Sequence, residues 1–176
     1  MTNVRYGPRA GDDGYNAKLH NQPSDIDVLG VNPTKPGLDR VIAVSCKAMQ
    51  TGFSPNRWLI AANKGGRYQG RTDAAKHLHE LWDPVWSAAH RRRVEELTGT
   101  DTFTYVLAVT RLDRNGVADF DALKADSRVG PLLDHLEPQV WTLADKFTEL
   151  TDDMTEQLEP SQVGRLAQML RAAGQI

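Results

Sequence analysis

The stretch "SDIDVLGVNPTKPGLDRVIAVSCKA", residues 24–48, decides the fold. Two apolar, β-branched runs, 25–31 and 40–46, flank a turn that contains two prolines and a glycine, and this pattern predicts a β-hairpin. Five polar or reactive side chains lie in or directly after these runs: Asp25, Asp27, Ser45, Cys46 and Lys47. Burying a charge is costly unless it is paired, so carboxylates and a lysine inside predicted strands indicate either an ion pair or a functional site.

The alternation of side chains along a strand sorts these residues by face. Asp25 and Asp27 share one face of the first strand, and Ser45 and Lys47 share one face of the second, so the two polar faces can meet across the hairpin. Cys46 points to the opposite, apolar face and is predicted to be a core residue. Two interpretations stay open: an Asp–Lys ion pair that closes the hairpin, or a site in which a carboxylate binds Mg²⁺ and the lysine acts on water or phosphate.

Composition indicates one ordinary globular domain. The chain has 176 residues, a net charge of -2 and one cysteine, which excludes an internal disulfide. No apolar run approaches the roughly 18 residues of a membrane helix, and the polar N-terminus lacks a signal-peptide core, so we expect a cytoplasmic protein with no membrane partner. Positive charge is concentrated in residues 57–93, with eight Lys/Arg against three Asp/Glu. This stretch is either a nucleic-acid-binding surface or a set of solvated helix faces.

Further along the chain, helices and strands alternate. Residues 1–23 are rich in Gly, Pro and Asp and predict an irregular N-terminal arm. Ser54-Pro55 and Asp83-Pro84 predict helix starts, and Thr72 is the predicted cap of a helix over 72–82. Two further strands are predicted at 102–109, as the central strand, and at 139–143; an amphipathic helical segment is predicted at 154–176. The order indicates an α/β fold whose mixed β-sheet is flanked by helices.

The motifs "SDIDVLGV" and "RVIAVSCKA" resemble the core of the PD-(D/E)xK nuclease superfamily, which has the restriction-endonuclease-like fold. In that family an Asp on one strand and an acid-x-Lys on the next form a metal site. Asp27 matches the family Asp, Lys47 matches the Lys, and Ser45 stands where the second acid is expected. The resemblance covers residues 24–110 and, with the strand order, implies a nuclease-like domain over 24–153.

The resemblance implies Mg²⁺-dependent, or Mn²⁺-dependent, hydrolysis of phosphodiester bonds in nucleic acid, and in DNA in particular. Asp27 is then the metal ligand with Asp25 as a second ligand, Lys47 activates water or stabilises charge, and Ser45 is an outer hydrogen-bonding group. Five basic side chains are the candidate contacts to the nucleic-acid backbone: Arg57, Lys64, Arg67, Arg71 and Lys76.

The serine is a departure from the family pattern, because a hydroxyl is a poorer ligand for Mg²⁺ than a carboxylate. No Asp or Glu lies between Lys47 and Asp73, so Asp73 and Glu80 are replacements only if their helix folds back over the site. The site therefore either recovers an acid from elsewhere, binds the ion weakly, or is inactive. The alternative to an enzyme is a catalytically inactive nuclease-like module that binds DNA or a protein partner. A homodimer or a partner chain that completes the site also stays open.

Overall fold

A computed structural model describes residues 1–49, 51–68, 73–134 and 136–152. Arg71, Thr72 and the predicted helical segment 154–176 lie outside the described residues. Five strands are present: β1 Thr2–Tyr6, β2 Ser24–Val31, β3 Val41–Lys47, β4 Phe103–Val109 and β5 Leu136–Thr142. The α-helices are α1 Pro55–Asn63, α2 Ala74–His77, α3 Pro84–Thr98, α4 Gly116–Lys124 and α5 Leu143–Asp152. Short 3₁₀ turns cover Gly37–Arg40, His79–Leu81 and Gly130–Leu133.

The strands form one mixed sheet in the order β1-β2-β3-β4-β5. The pairs β1–β2 and β2–β3 are antiparallel, whereas β3–β4 and β4–β5 are parallel. The predicted α/β architecture with a mixed sheet flanked by helices is therefore confirmed. The three parallel strands end together at Lys47, Val109 and Thr142, and the antiparallel β2 begins at that same end. We call this end of the sheet the C-terminal end; it is where ligands bind in many open α/β sheets.

The N-terminal segment differs from the irregular arm predicted for residues 1–23, because its first residues form β1. Val4 pairs with Ile26, and Tyr6 pairs with Ser24. Val4 and Tyr6 are both buried and two residues apart, which is the strand period. This signal was short and was masked by the glycines and proline that follow it.

Several helix and strand predictions are confirmed. The carboxylate of Asp83 accepts a 2.9 Å hydrogen bond from the Val85 N–H at the start of α3, and α3 ends at Gly99 with φ +75°. The strand predicted at 102–109 is β4, which lies between β3 and β5 and is buried along almost all of its length. The strand predicted at 139–143 corresponds to β5.

The single helix predicted over 72–82 is wrong, and the difference matters for the site. Asp73 caps α2 by accepting a 3.1 Å hydrogen bond from the Ala75 N–H, and α2 ends after one turn at His77. Leu78 then leaves the helical region, with φ −135° and ψ 55°, and a 3₁₀ turn follows. The break buries Leu78, Glu80 and Leu81 together, a combination that a continuous helix does not place on one face.

Aromatic side chains hold this helical layer together. Trp58 of α1 is fully buried, and its Nε1–H donates a 2.8 Å hydrogen bond to the carbonyl of Ala74 at the start of α2. Its ring meets Trp82 edge-on at 5.8 Å between centroids. These contacts fix the turn that carries Glu80 relative to α1. No helix in the described ranges is long and apolar enough to cross a membrane.

Candidate active site

Asp27 lies where β2 and β3 stop pairing. The β2–β3 ladder ends at the pair Val28–Val44, and beyond it Oδ2 of Asp27 accepts a 2.6 Å hydrogen bond from the backbone N–H of Cys46. The carboxylate thus satisfies a backbone donor that the ladder leaves unpaired. Its other oxygen, Oδ1, has no hydrogen bond within the described residues, and the side chain is half-buried. This oxygen can serve a ligand.

The predicted strict alternation along β2 is wrong. Ile26 and Leu29 are both almost fully buried although they are three residues apart, so the strand does not alternate regularly between them. Asp25 is exposed and lies opposite Arg5 in the β1–β2 ladder. Cys46 is also exposed, which corrects its prediction as a core residue. It lies near the C-terminal end of β3, where the sheet opens to solvent.

Lys47 and Glu80 are the charged pair of the site. Lys47 is the last residue of β3 and is half-buried; within the described residues it has no hydrogen bond and no ion pair shorter than 4.0 Å, so the predicted Asp–Lys pair is not closed. Glu80 is only 6% exposed, and the Tyr105 hydroxyl donates a 2.8 Å hydrogen bond to its Oε1. Burial raises the pKa of Glu80, but the charges of His79, Lys47 and His90 outweigh burial and lower the pKa overall. The buried carboxylate is therefore ionised.

His90 lies beneath this pair without adding charge at neutral pH. It is buried, and its ring lies 5.0 Å from that of Tyr6 and 5.8 Å from that of Tyr105. Burial lowers the pKa of His90 to about 4, against the opposing effect of Glu80. An imidazole with that pKa is neutral at pH 7, so the ammonium of Lys47 is the important cation beside Glu80.

Two tyrosines connect the acids. Burial, followed by the charge of Glu80, raises the pKa of Tyr105, and the nearby Ser45 hydroxyl opposes this rise. Burial and the charge of Glu80 also raise the pKa of Tyr6, with smaller contributions of the same sign from Asp25 and Asp27. Tyr6 is thus within electrostatic range of the acids on β2 and of Glu80. The acids of both elements face one buried phenol.

His79 extends the network towards the surface. Its Nδ1 lies 3.3 Å from the carbonyl of Lys76, and because a carbonyl only accepts, Nδ1 carries the proton there. In the neutral ring Nε2 then accepts from the Tyr6 hydroxyl at 3.2 Å. Nε2 also lies 3.8 Å from Oε2 of Glu80. Tyr6, His79 and Tyr105 were not predicted as site residues, and only the fold brings them together.

A cavity of about 470 Å³ opens beside Lys47. It lies between the loop after β3, the first turn of α1 and the loop after β4, and its polar lining includes Lys47, Thr51, Ser54, Arg57, Tyr68, His77 and Asp113. Gly52 shapes its wall with φ +84°, and a Cβ there would lie 3.0 Å from Cγ and 3.3 Å from the carbonyl oxygen of Arg111. Only glycine fits this turn without strain.

The predicted backbone-contacting residues remain available. Arg57, Lys64, Arg67 and Lys76 are exposed, and none has an ion pair within the described part of the chain. By contrast, Arg92 pairs with Asp12 at 2.6 Å and Arg93 pairs with Glu96 at 3.0 Å. The uncompensated positive charge of the basic stretch therefore lies at its beginning, and Arg57 lines the cavity beside Lys47.

The residues fit a magnesium ion only in part. Asp27 has an oxygen to offer and Glu80 is ionised, while Asp73 caps α2. Among the described residues no group of three or more His, Cys, Asp and Glu side chains could hold a metal. Mg²⁺ keeps several waters and commonly uses only one or two carboxylates together with substrate phosphates, so two acids are sufficient.

Comparisons with known proteins give no relative. No family model matches the chain, no curated protein matches it, and no solved structure matches it.

Proposed function

We propose that this protein is a Mg²⁺- or Mn²⁺-dependent phosphodiesterase that acts on nucleic acid, with DNA as the first substrate to test. The observation that carries the proposal is the buried, ionised Glu80 beside Lys47. It offers a carboxylate near the strand position where Ser45 replaces the expected acid. A buried carboxylate beside a lysine at the C-terminal end of a sheet is costly to maintain, and such groups cluster at functional sites.

The strand order supports the same proposal. Three antiparallel strands are followed by a helical crossover to a parallel strand, with Asp27 on the second strand and Lys47 at the end of the third. This arrangement agrees with the restriction-endonuclease-like fold that the sequence motifs imply. On this basis we infer that the domain is a PD-(D/E)xK variant in which the second acid comes from the turn after α2.

Each site residue then has a chemical role. Asp27 and Glu80 would hold the ion, with Asp25 at the rim; when bound, such an ion lowers the pKa of water and offsets phosphate charge. The ammonium of Lys47 orients the attacking water or stabilises charge on the phosphate. Tyr105 and Ser45 hold the Glu80 carboxylate in place, and Arg57, Lys64, Arg67 and Lys76 bind the backbone of the nucleic acid.

Cleavage assays on three single variants test the proposal. With Mg²⁺ or Mn²⁺, wild-type protein should cleave linear DNA, and Asp27→Asn, Lys47→Met and Glu80→Gln should each reduce the rate by about a hundredfold or more. Asp39→Asn, an exposed acid in the turn at the opposite end of the sheet, is the matched control and should cleave normally. Cleavage that survives Asp27→Asn and Glu80→Gln would refute the site.

The second candidate is an inactive module that binds nucleic acid without cutting it. It is favoured by the lack of a three-ligand group in the described residues and by the Tyr105 hydrogen bond, which occupies Oε1 of Glu80. Calorimetric titration with Mg²⁺ and Mn²⁺ separates the two candidates. No metal binding and no cleavage, together with salt-sensitive binding of DNA, would establish the inactive module.

A further inference from the structure

We propose that the cavity beside Lys47 binds one nucleoside monophosphate unit, with its phosphate towards Lys47 and Arg57 and its base towards Asp113. The role of this pocket in cleavage rests on the proposed function, but its binding of a nucleotide does not. Its volume of about 470 Å³ lies within the range of small-molecule sites. The wall fixed by Gly52 makes it a shaped pocket rather than a shallow groove.

One end of the cavity is suited to an anion. Lys47 and Arg57 supply positive charge, and neither has an ion pair within the described residues. Ser54 is the residue that precedes α1, yet its hydroxyl makes no capping bond and no other hydrogen bond in the described ranges, although the residue is 95% buried. The N-terminus of α1 and the Ser54 hydroxyl thus leave donors for a phosphate oxygen.

The other end of the cavity requires a donor. Oδ1 of Asp113 is buried and has no hydrogen-bond partner, while the backbone N–H of Asp113 is bonded to the carbonyl of Phe53 at 2.9 Å. An unpaired buried acceptor is costly, and a base N–H would satisfy it. A carboxylate in the cavity also disfavours a ligand that is anionic throughout, such as free phosphate. A ligand with a phosphate at one end and N–H donors at the other fits both observations.

Binding of mononucleotides in EDTA tests the pocket without cleavage. We expect at least one of dAMP, dCMP, dGMP and dTMP to bind wild-type protein in calorimetry at least about tenfold more tightly than inorganic phosphate. Arg57→Ala should weaken that binding about tenfold or more, whereas Lys64→Ala, at the other end of the same helix, should leave it unchanged. Asp113→Asn should change the order of preference among the four bases.

Two further arms keep the interpretation specific. Asp27→Asn should bind the mononucleotide as wild type does, because Asp27 does not line the cavity; loss of cleavage with retained binding would refute neither claim. A 5′-phosphorylated oligonucleotide that binds more tightly than its unphosphorylated form assigns the pocket to a strand end, and equal binding assigns it to the free monomer. The proposal is overturned if no mononucleotide binds better than phosphate up to about 5 mM, or if Arg57→Ala and Lys64→Ala behave alike.

Discussion

The hydroxyl of Tyr105 on the central strand donates a 2.8 Å hydrogen bond to the buried carboxylate of Glu80 in the turn after α2. This bond connects the sheet to the helical layer at the point where the site is assembled. A charge that is removed from water needs hydrogen bonds and a counter-charge to remain ionised. Tyr105 supplies the first and Lys47 contributes the second, so each can be tested by its effect on Glu80.

Removing the Tyr105 hydroxyl should destabilise the protein. Tyr105→Phe leaves Oε1 of Glu80 without its donor, and we expect a loss of about 1–3 kcal/mol in the free energy of unfolding. Urea denaturation at pH 7 measures this loss. Tyr15→Phe is the control, because the Tyr15 side chain is half-exposed and its hydroxyl makes no hydrogen bond within the described residues. Equal stability of the two variants would contradict the importance of this bond.

Removing the Lys47 ammonium should raise the pKa of Glu80. Burial alone raises this pKa, and Lys47 is among the charges that reverse its effect. Carboxyl ¹³C chemical shifts of Glu80 during a pH titration of Lys47→Met measure the change directly. Lys64→Met removes an exposed ammonium from the far end of α1 and should leave the titration unaltered. A Glu80 titration that is the same in Lys47→Met and wild type would show that the two groups are not coupled.

Stability should fall on mild acidification because of His90. Its pKa is lowered from 6.5 to about 4 in the folded protein, so the unfolded chain takes up a proton that the folded protein does not. The contribution is complete above pH 6.5 and is lost as the pH falls towards 4. We expect about 2 kcal/mol to be lost between pH 6.5 and 4.5. Urea denaturation at several pH values should show a flatter profile for His90→Phe, and an unchanged slope would contradict the assignment.

The basic residues should act through charge rather than through base recognition. Each of Arg57→Ala, Lys64→Ala, Arg67→Ala and Lys76→Ala should weaken DNA binding and reduce the slope of log K against log salt by about one. Lys35→Ala is the control, because Lys35 is exposed in the β2–β3 turn at the opposite end of the sheet. Fluorescence anisotropy over a range of salt concentrations gives the slopes. Equal slopes for the Lys35→Ala variant and the four test variants would refute a localised binding surface.

The sequence was sufficient for the fold wherever local signals agreed with each other. The Asp83 cap, the Gly99 end and the apolar run of β4 predicted their elements correctly, because each depends on residues close in the chain. β1 was missed because a strand of five residues beside glycines and a proline gives little periodic signal. Its pairing with β2 is what buries Val4 and Tyr6.

The site could be predicted only in its β-hairpin half. Asp27, Ser45 and Lys47 lie in one short stretch, and alternation was sufficient to propose that they converge. Glu80 was recognised as a replacement only on the condition that its segment folded over the sheet, and the predicted continuous helix hid the break at Leu78. The contact between Glu80 and Tyr105 spans 25 residues of sequence, and no local pattern contains it.

Cys46 offers a direct probe of the electrostatics between Asp27 and Lys47, because it is the only cysteine of the chain and is exposed. Burial raises the pKa of its thiol, Asp27 raises it further, and Lys47 lowers it. The thiolate is the reactive form, so the rate of alkylation follows these charges. Asp27→Asn should therefore speed alkylation by iodoacetamide at pH 8, and Lys47→Met should slow it, each by about two- to fivefold.

The Asn variant is the informative one because its side-chain carbonyl can still accept the hydrogen bond from the Cys46 N–H. A faster reaction then reports the loss of charge rather than an opening of the hairpin. Asp39→Asn, at the opposite end of the sheet, removes the same charge from the protein and should leave the rate unchanged. If Asp27→Asn and Asp39→Asn react alike, Asp27 does not act electrostatically on the end of β3. An ionised Asp27 is what a metal ligand at this position requires, so that result would also argue against its proposed role.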